Sequence, residues 1–455
     1  MNRSTKNITD LATRPIGKLL WEYSLPAIVG MVVMSLYNVI DRIFIGRGVG
    51  SDAIAGLAIT FPVMNLSAAI GVLIGAGAAA RVSIFLGQGN KPNAEQVLGN
   101  SLVMIVLNAT IYLSLFGIFM DDLLILFGAS SRTLPYAKEF MMYILPGMLV
   151  MNIMYSLNNV MRASGYPKLS MITMFIGAGC NLIFAPLFIF VLDMGIKGAA
   201  IATDISMAVG AAFVIAHFCK KSSTLHFKRG IYRLRWSTIW AIISIGAAPS
   251  IVNFCASAIN AIINRSLLQY GGDMAVGAVG IFSTYTSLLC MVVVGLCQGV
   301  QPILGYNYGA GRYDRMRKAY WAAAIFGTCV TSAGAIVSVF FPRYIAAAFT
   351  VDPELINATV NGLHIATVMF WPVGFQIVST TLFQSIGMAG KSIFLSLIRQ
   401  VIFLIPLLMI LPDYFGLNGV WASFPSSDIA ATIVSVIMVY YQFHKMPRAL
   451  SPQPQ

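Results

Sequence analysis

Residues 59–80 read ITFPVMNLSAAIGVLIGAGAAA, an uninterrupted run without a charged side chain. About 20 apolar residues in a helix cross the roughly 30 Å hydrocarbon core of a bilayer. The whole chain has the same character, since 58% of its 455 residues are hydrophobic and 10% are charged. Soluble proteins carry roughly 25% charged residues. The composition therefore excludes soluble enzymes, disordered chains and disulfide scaffolds, and it indicates an all-α polytopic membrane protein.

Working outward from this run, we predict twelve membrane helices separated by short polar segments. They cover residues 16–46, 53–85, 96–119, 136–158, 168–191, 197–218, 238–268, 274–302, 318–341, 360–384, 392–411 and 418–442.

The basic residues predict the orientation of these helices. If the N-terminus is cytoplasmic, 22 of the 29 Lys and Arg residues fall on or near the inner side and seven on the outer side. This asymmetry matches the positive-inside rule and places both termini on the cytoplasmic side of the membrane. We expect this to be the plasma (cell inner) membrane. The net charge of +13 is then mostly charge at the inner leaflet, and no nucleic-acid partner is expected.

The two halves of the chain repeat each other at a nearly constant offset. Pro26 precedes Asp41 by the same interval as Pro249 precedes Asn264. An even, six-helix repeat predicts two lobes related by a pseudo-two-fold axis along the membrane normal, as in many transporters. The predicted divisions are an N-terminal lobe (1–218), a basic cytoplasmic linker (219–237) and a C-terminal lobe with a short tail (238–455).

Catalytic or cofactor-binding motifs are absent from the sequence. The four histidines form no His-x-x-x-His pair, and the six cysteines form no Cys-x-x-Cys pair, so no metal-ligand set is evident. The triplet Gly390-Lys391-Ser392 lacks the first glycine of a phosphate loop, because Ser385 stands at that position. We therefore expect neither an enzyme nor a cofactor.

Acidic side chains inside the spans are the candidate functional groups. A charge at the bilayer centre costs at least about 2.5 kcal/mol on insertion scales and needs a function or a partner. From the rise per residue of a helix, four polar residues fall in the outer half of the N-terminal lobe. If they share a cavity, they bind Na⁺ or share H⁺; alternatively, the aspartate in helix 1 pairs with Arg42 or Arg47, and the others brace helices. These residues are Asp41, Asn181, Thr203 and Asp204.

Further candidates lie in the second half and at prolines. Asp428 is either an anion in a substrate cavity or a structural brace. Because the charges deep in the spans are acidic, the sequence favours cationic solutes. Pro26 and Pro186 lie on the helices of Asp41 and Asn181, and each either acts as a hinge or imposes static curvature.

Four stretches together resemble one transporter family, the multidrug and toxic compound extrusion (MATE) family, over nearly the whole chain. They are YNVIDRIFIG at 37–46, LGQGN at 86–90, GAAIAT at 198–203 and QPILGYNYGAG at 301–311.

The resemblance implies an antiporter in which Na⁺ or H⁺ enters while amphipathic, often cationic, compounds leave. It implies two six-helix lobes around a central cleft, a substrate and membrane lipid as the partners, and function as a monomer. The family's N-lobe ion site matches Asp41, Asn181 and Thr203, but Ala185 stands where an aspartate is expected. Asp204 either supplies the missing acid or faces elsewhere. For the second lobe, the tentative cavity residues beside Asp428 are Asn264, Gln376 and Trp371.

Three alternatives to a multidrug antiporter remain open. A lipid or lipid-linked oligosaccharide flippase of the same fold superfamily would need a cavity rich in Arg and Lys to bind pyrophosphate. A transporter of the major facilitator type would carry a glycine–aspartate–arginine cluster where this chain has Gly87-Gln88-Gly89-Asn90-Lys91. A membrane enzyme would need a catalytic set that the sequence does not show.

Overall fold

The computed structural model describes residues 10–48, 51–131 and 133–447, and within these ranges it contains helices and turns but no strand. Within these ranges, the first half of the chain forms six long helices, and a π-helical segment, Leu187–Val191, extends the fifth. The six are α1 (Ile16–Gly48), α2 (Ser51–Gly87), α3 (Lys91–Leu126), α4 (Leu134–Ala163), α5 (Pro167–Pro186) and α6 (Gly195–Cys219).

The second half forms seven helices, two of which contain a sharp bend. The helices are α7 (Trp236–Gly309), α8 (Tyr313–Phe340), α9 (Pro342–Ala347), α10 (Pro353–Ala366), α11 (Val373–Ser385), α12 (Ala389–Leu397) and α13 (Ile405–Lys445), with a π-helical segment, Ile398–Leu404, between the last two. Helix α7 bends at Gly272 (φ +66°) and α13 at Gly416 (φ +57°). Glycine adopts these positive φ values without the steric cost that other residues meet.

The twelve predicted spans are all represented among these helices. Nine helical segments of the described chain are long and apolar enough to cross a membrane. Two of them, Trp236–Gly309 and Ala389–Lys445, each contain two predicted spans joined at the bends. The remaining predicted span, 360–384, is divided between α10 and α11. The prediction of a twelve-helix membrane protein is confirmed.

The break between α10 and α11 was not predicted, and its backbone groups find a partner in α8. Helix α10 ends at Ala366, and Pro372, which has no amide hydrogen, lies directly before α11. The Thr331 hydroxyl lies 2.6 Å from the Trp371 carbonyl oxygen and accepts a hydrogen bond from the Gly374 N–H at 3.2 Å. Neighbouring hydroxyls commonly satisfy backbone groups that a proline frees within a membrane.

The chain packs into two compact units that exchange short helical arms. The first unit contains Val29–Ser250 and the described residues up to Arg14, and the second contains Pro15–Ile28 and the described residues from Ile251 onward. Pro26 and Pro249 each precede a point where the chain passes from one unit to the other. The lobe division at 219–237 is a different partition of the chain, and it stays a prediction.

Small residues bring each exchanged arm close to its neighbour. In the first unit, a Cβ atom added to Gly77 would lie 2.0 Å from the Ile242 carbonyl oxygen. In the second unit, a Cβ atom added to Gly299 would lie 2.4 Å from the Ser24 Cα atom. Glycine allows this close approach in membrane helices.

Side chains at the start of α3 bind part of the predicted linker. Glu95, which is buried, forms an ion pair with Lys228 and lies 3.6 Å from Nδ1 of His226. The Gln96 side-chain amide donates to the Ile231 carbonyl oxygen at 3.0 Å. The linker therefore has a fixed path over the first unit.

We predict that Gly77→Leu prevents stable folding, because the larger side chain meets the backbone of Ile242. The matched control is Gly117→Leu, since Gly117 is an exposed helical glycine with no atom within 4 Å of an added Cβ. Fluorescence-detected size-exclusion chromatography should show a loss of the monodisperse peak for Gly77→Leu only. A normal peak for both variants would contradict this packing.

Candidate functional site

Tyr37 lies at the centre of a polar group inside the first unit. Its side chain is 6% exposed and lies close to the Thr203 side chain. It also interacts electrostatically with Asp41, Tyr155 and Asp204. Because Asp41 lies one helical turn beyond Tyr37 on α1, both side chains project from the same face of the helix. Helices α1, α4 and α6 thus meet at one polar point.

A hydrogen bond between α5 and α6 completes this group. The side-chain amide of Asn181, a residue that is 1% exposed, donates to the Thr203 hydroxyl at 3.1 Å. The same hydroxyl lies 3.0 Å from the Ala199 carbonyl oxygen, to which it donates. Sequence reasoning selected both residues, and the structure brings them into direct contact.

Asp204 is positioned by a glycine on α4. Its carboxylate lies directly against the Gly147 backbone. A Cβ atom added to Gly147 would lie 1.6 Å from one carboxylate oxygen, so the contact requires glycine at this position. The structure therefore turns Asp204 toward α4, and its charge also acts on Tyr37. We call Tyr37, Asp41, Asn181, Thr203 and Asp204 the Tyr37 group.

Ala185, where the family pattern expects an acid, contributes no ligand. It is fully buried in an apolar cluster that includes Met148 and Ile189. The alternative ion-pair partners of Asp41 were Arg42 and Arg47, and their side chains lie outside the described residues.

The two candidate hinges occupy different settings. Pro26 lies inside the continuous helix α1. Pro186 is the last residue of α5, directly before the π-helical segment Leu187–Val191. Whether either proline acts as a hinge stays a prediction.

A second polar site lies in the second unit, at a cavity of about 330 Å³. Asp428 lines this cavity, as proposed from the sequence, but it is paired with Arg399, whose Nε lies 2.6 Å from the aspartate Oδ1. The sequence analysis counted Arg399 among the inner-side charges and therefore did not predict its ion pair with Asp428. The available signal was its place well inside the predicted span 392–411, roughly 10 Å from the end.

The other tentative cavity residues do not line this cavity. Asn264 is exposed, and Trp371 is 47% exposed. Gln376 is buried, but it too lies outside the cavity lining. The lining instead includes Asn260, one helical turn before Asn264 on α7.

Metal binding by acids, histidines and cysteines has no support in the described part of the chain. Within residues 10–48, 51–131 and 133–447, no group of three or more such side chains could hold a metal ion.

We predict that Gly147→Ala displaces the Asp204 carboxylate, because the added methyl carbon would overlap it. The matched control is Gly179→Ala, at a helical glycine with open space around an added Cβ. The rate at which a hydrophobic carbodiimide labels the Asp204 carboxylate, followed by mass spectrometry, should change at least about fivefold in the Gly147→Ala background and stay the same in the control. Equal rates in both backgrounds would refute the positioning role.

Comparison with known proteins identifies the family. The MatE family model matches residues 26–187 and 249–410, two segments of equal length, one in each half of the chain. The chain is 27% identical over 428 residues to the FAD transporter of Shewanella oneidensis, covering 92% of this chain and 93% of that protein. It is 26% identical over 433 residues to the multidrug export protein MepA of Staphylococcus aureus, covering 94% of each.

Solved structures agree with these sequence relatives. The MATE multidrug transporter DinF-BH is 36% identical, with a TM-score of 0.85 over 94% of this chain and 96% of that one. An outward-facing MATE family transporter of the MOP superfamily is 23% identical and shows the same fold, with a TM-score of 0.90 over 98% of this chain and 99% of that one. The doubled family match also confirms the tandem repeat inferred from the sequence. The chain belongs to the MatE family of multidrug and toxic compound extrusion transporters.

Proposed function

We propose that this chain is a secondary active antiporter that expels amphipathic, often cationic, compounds while Na⁺ or H⁺ enters at the Tyr37 group. The observation that carries the proposal is the convergence of two carboxylates and three neutral polar side chains in the first unit, where Tyr37 and Asn181 are buried. The similarity to multidrug export proteins such as MepA supports export as the activity.

The chemistry of the Tyr37 group suits a small monovalent cation. Hard cations are bound by carboxylate, hydroxyl and amide oxygens, which are the groups present here. Asp41 and Asp204 both act on Tyr37 electrostatically, and two negative charges so placed repel each other across a medium of low dielectric constant. One bound cation or proton offsets that repulsion, so its arrival and departure change the packing of α1 against α6.

Helix α1 offers a route from the ion to the second unit. Its residues from Val29 onward belong to the first unit and include Tyr37 and Asp41, whereas Pro15–Ile28 belong to the second unit. A change in α1 on ion binding would therefore reach both units, and Pro26 is the position where the helix would bend. An antiporter needs such coupling, because ion and substrate must favour different states.

We further propose that both termini are cytoplasmic in the plasma membrane and that one chain suffices for transport. The charge asymmetry supports the orientation. The presence of both repeats in one chain supports a functional monomer, with residues 1–218 and 238–455 as its lobes. No cofactor is invoked, since an ion gradient supplies the free energy.

We predict that Asp41→Asn reduces ethidium efflux at least about tenfold while the protein inserts normally, because it removes one of the two charges that bind the ion. The control is Asp121→Asn, which removes an exposed ion-pair partner of Lys138 and should keep full efflux. Both are measured in cells that lack other pumps, at matched expression. Full efflux by Asp41→Asn would refute the assignment.

The same assay identifies the coupling ion when Na⁺ and the proton gradient are varied independently. Collapse of efflux on removal of Na⁺ assigns Na⁺ to the Tyr37 group, and dependence on the proton gradient alone assigns H⁺. Efflux that depends on neither the Na⁺ gradient nor the proton gradient would contradict antiport. Absence of efflux from correctly inserted protein would favour the flippase alternative.

A further inference from the structure

Corresponding helices of the two repeats carry polar links of different kinds. In the first half, Asn181 on α5 bonds to Thr203 on α6, and both side chains are neutral. In the second half, the segment Ile398–Leu404 and helix α13 occupy the corresponding positions, and there Arg399 pairs with Asp428. Burying two charges costs far more than burying two neutral groups. Because a neutral pair already links these helices in the first half, helix packing alone does not account for the ion pair.

The ion pair presents its positive member to the cavity. The Arg399 side chain is 25% exposed, whereas the Asp428 side chain is 4% exposed. The arginine Nε donates to the aspartate Oδ1 at 2.6 Å, and Cys290 also lines the cavity. A guanidinium has five N–H donors in a planar fork, so it retains donors for a planar acceptor such as a carboxylate.

The remaining cavity wall combines aromatic and aliphatic side chains with neutral polar ones such as Asn260 and Gln400. Phe282 and Phe424, whose ring centroids are 5.0 Å apart, form part of it. Ile259 and Leu404 also line the cavity. A cavity of about 330 Å³ that combines apolar and polar groups is typical of a small-molecule site. Its size suits the carboxylate-bearing ring of a larger aromatic ligand.

Charge balance narrows the ligand further. The charges of Arg399 and Asp428 cancel. A ligand without net charge therefore leaves this site of low dielectric constant electrically neutral. A permanent cation is repelled by the more exposed guanidinium. A simple anion gives the site a net negative charge in the membrane interior, which is costly. A zwitterion avoids both penalties while offering a carboxylate to the arginine.

We propose that this second-unit cavity binds aromatic zwitterions through their carboxylate, with Arg399 as the residue that selects them over permanent cations. Their expulsion by this chain rests on the proposed export function, whereas their binding does not. The cavity is separate from the Tyr37 group, which lies in the first unit and serves the ion.

Rhodamine B and its ethyl ester test this proposal, because they share one ring system and only the acid is a zwitterion. Fluorescence polarisation with the purified full-length chain should show at least about tenfold tighter binding of rhodamine B, as expected for charge-assisted hydrogen bonds. Equal binding of acid and ester by the unmodified chain, or tighter binding of the ester, would overturn the proposal.

The decisive variant is the double substitution Arg399→Gln with Asp428→Asn, which keeps a polar pair and leaves no unpaired buried charge. It should weaken rhodamine B binding about tenfold or more and change ester binding less than about twofold. Arg399→Lys is a second variant that keeps the charge but loses the planar fork, and it should weaken rhodamine B binding by a smaller factor. Unchanged rhodamine B binding in either folded variant would also overturn the proposal.

Efflux measured beside binding separates the two claims. Arg399-dependent binding of rhodamine B without efflux of either dye would support the site and contradict the proposed export function. Efflux of both dyes, with no Arg399-dependent preference in binding, would support export and overturn the site.

Discussion

The hydrocarbon interior offers no hydrogen-bond partner, so each polar group within it must be satisfied by the protein itself. The main polar features of this structure follow from that constraint. Thr331 satisfies the backbone at the break between α10 and α11. Asn181 and Thr203 satisfy each other, and Arg399 pairs with Asp428.

The same constraint gives the intramembrane acids their significance. Without a solvent to hold its charge, a carboxylate in a span needs a cation, a proton or a donor. Asp428 has a permanent cation in Arg399, so its charge is fixed. The Tyr37 group contains two carboxylates and neutral partners, and we infer that a mobile ion balances it. This division of roles, an exchangeable ion in one unit and a fixed ion pair in the other, arises within one duplicated design.

The sequence was sufficient to predict the architecture, because hydropathy and charge asymmetry respond directly to the bilayer. The twelve spans were predicted in this way, and the tandem repeat was predicted from matching residue intervals in the two halves. The break within 360–384 was not, since it depends on a hydroxyl from α8 that is distant in sequence. The orientation of Asp204 was open as well, because one residue step turns a helix by about 100° and the space it occupies exists only through Gly147. Arg399 was assigned to the inner side because a count of charges by loop does not take into account a partner on another helix.

We infer above all that the Tyr37 group binds the coupling ion and that this binding weakens the binding of substrate. The most direct test is the equilibrium dissociation constant of ethidium for the purified chain, measured as Na⁺ concentration and pH are varied separately. Coupling between two ligands is reciprocal, so we expect Na⁺ or H⁺ to weaken ethidium binding to the unmodified chain and to have no such effect on the Asp41→Asn variant. A dissociation constant that is independent of both ions, or one that changes equally in the two proteins, would contradict this inference.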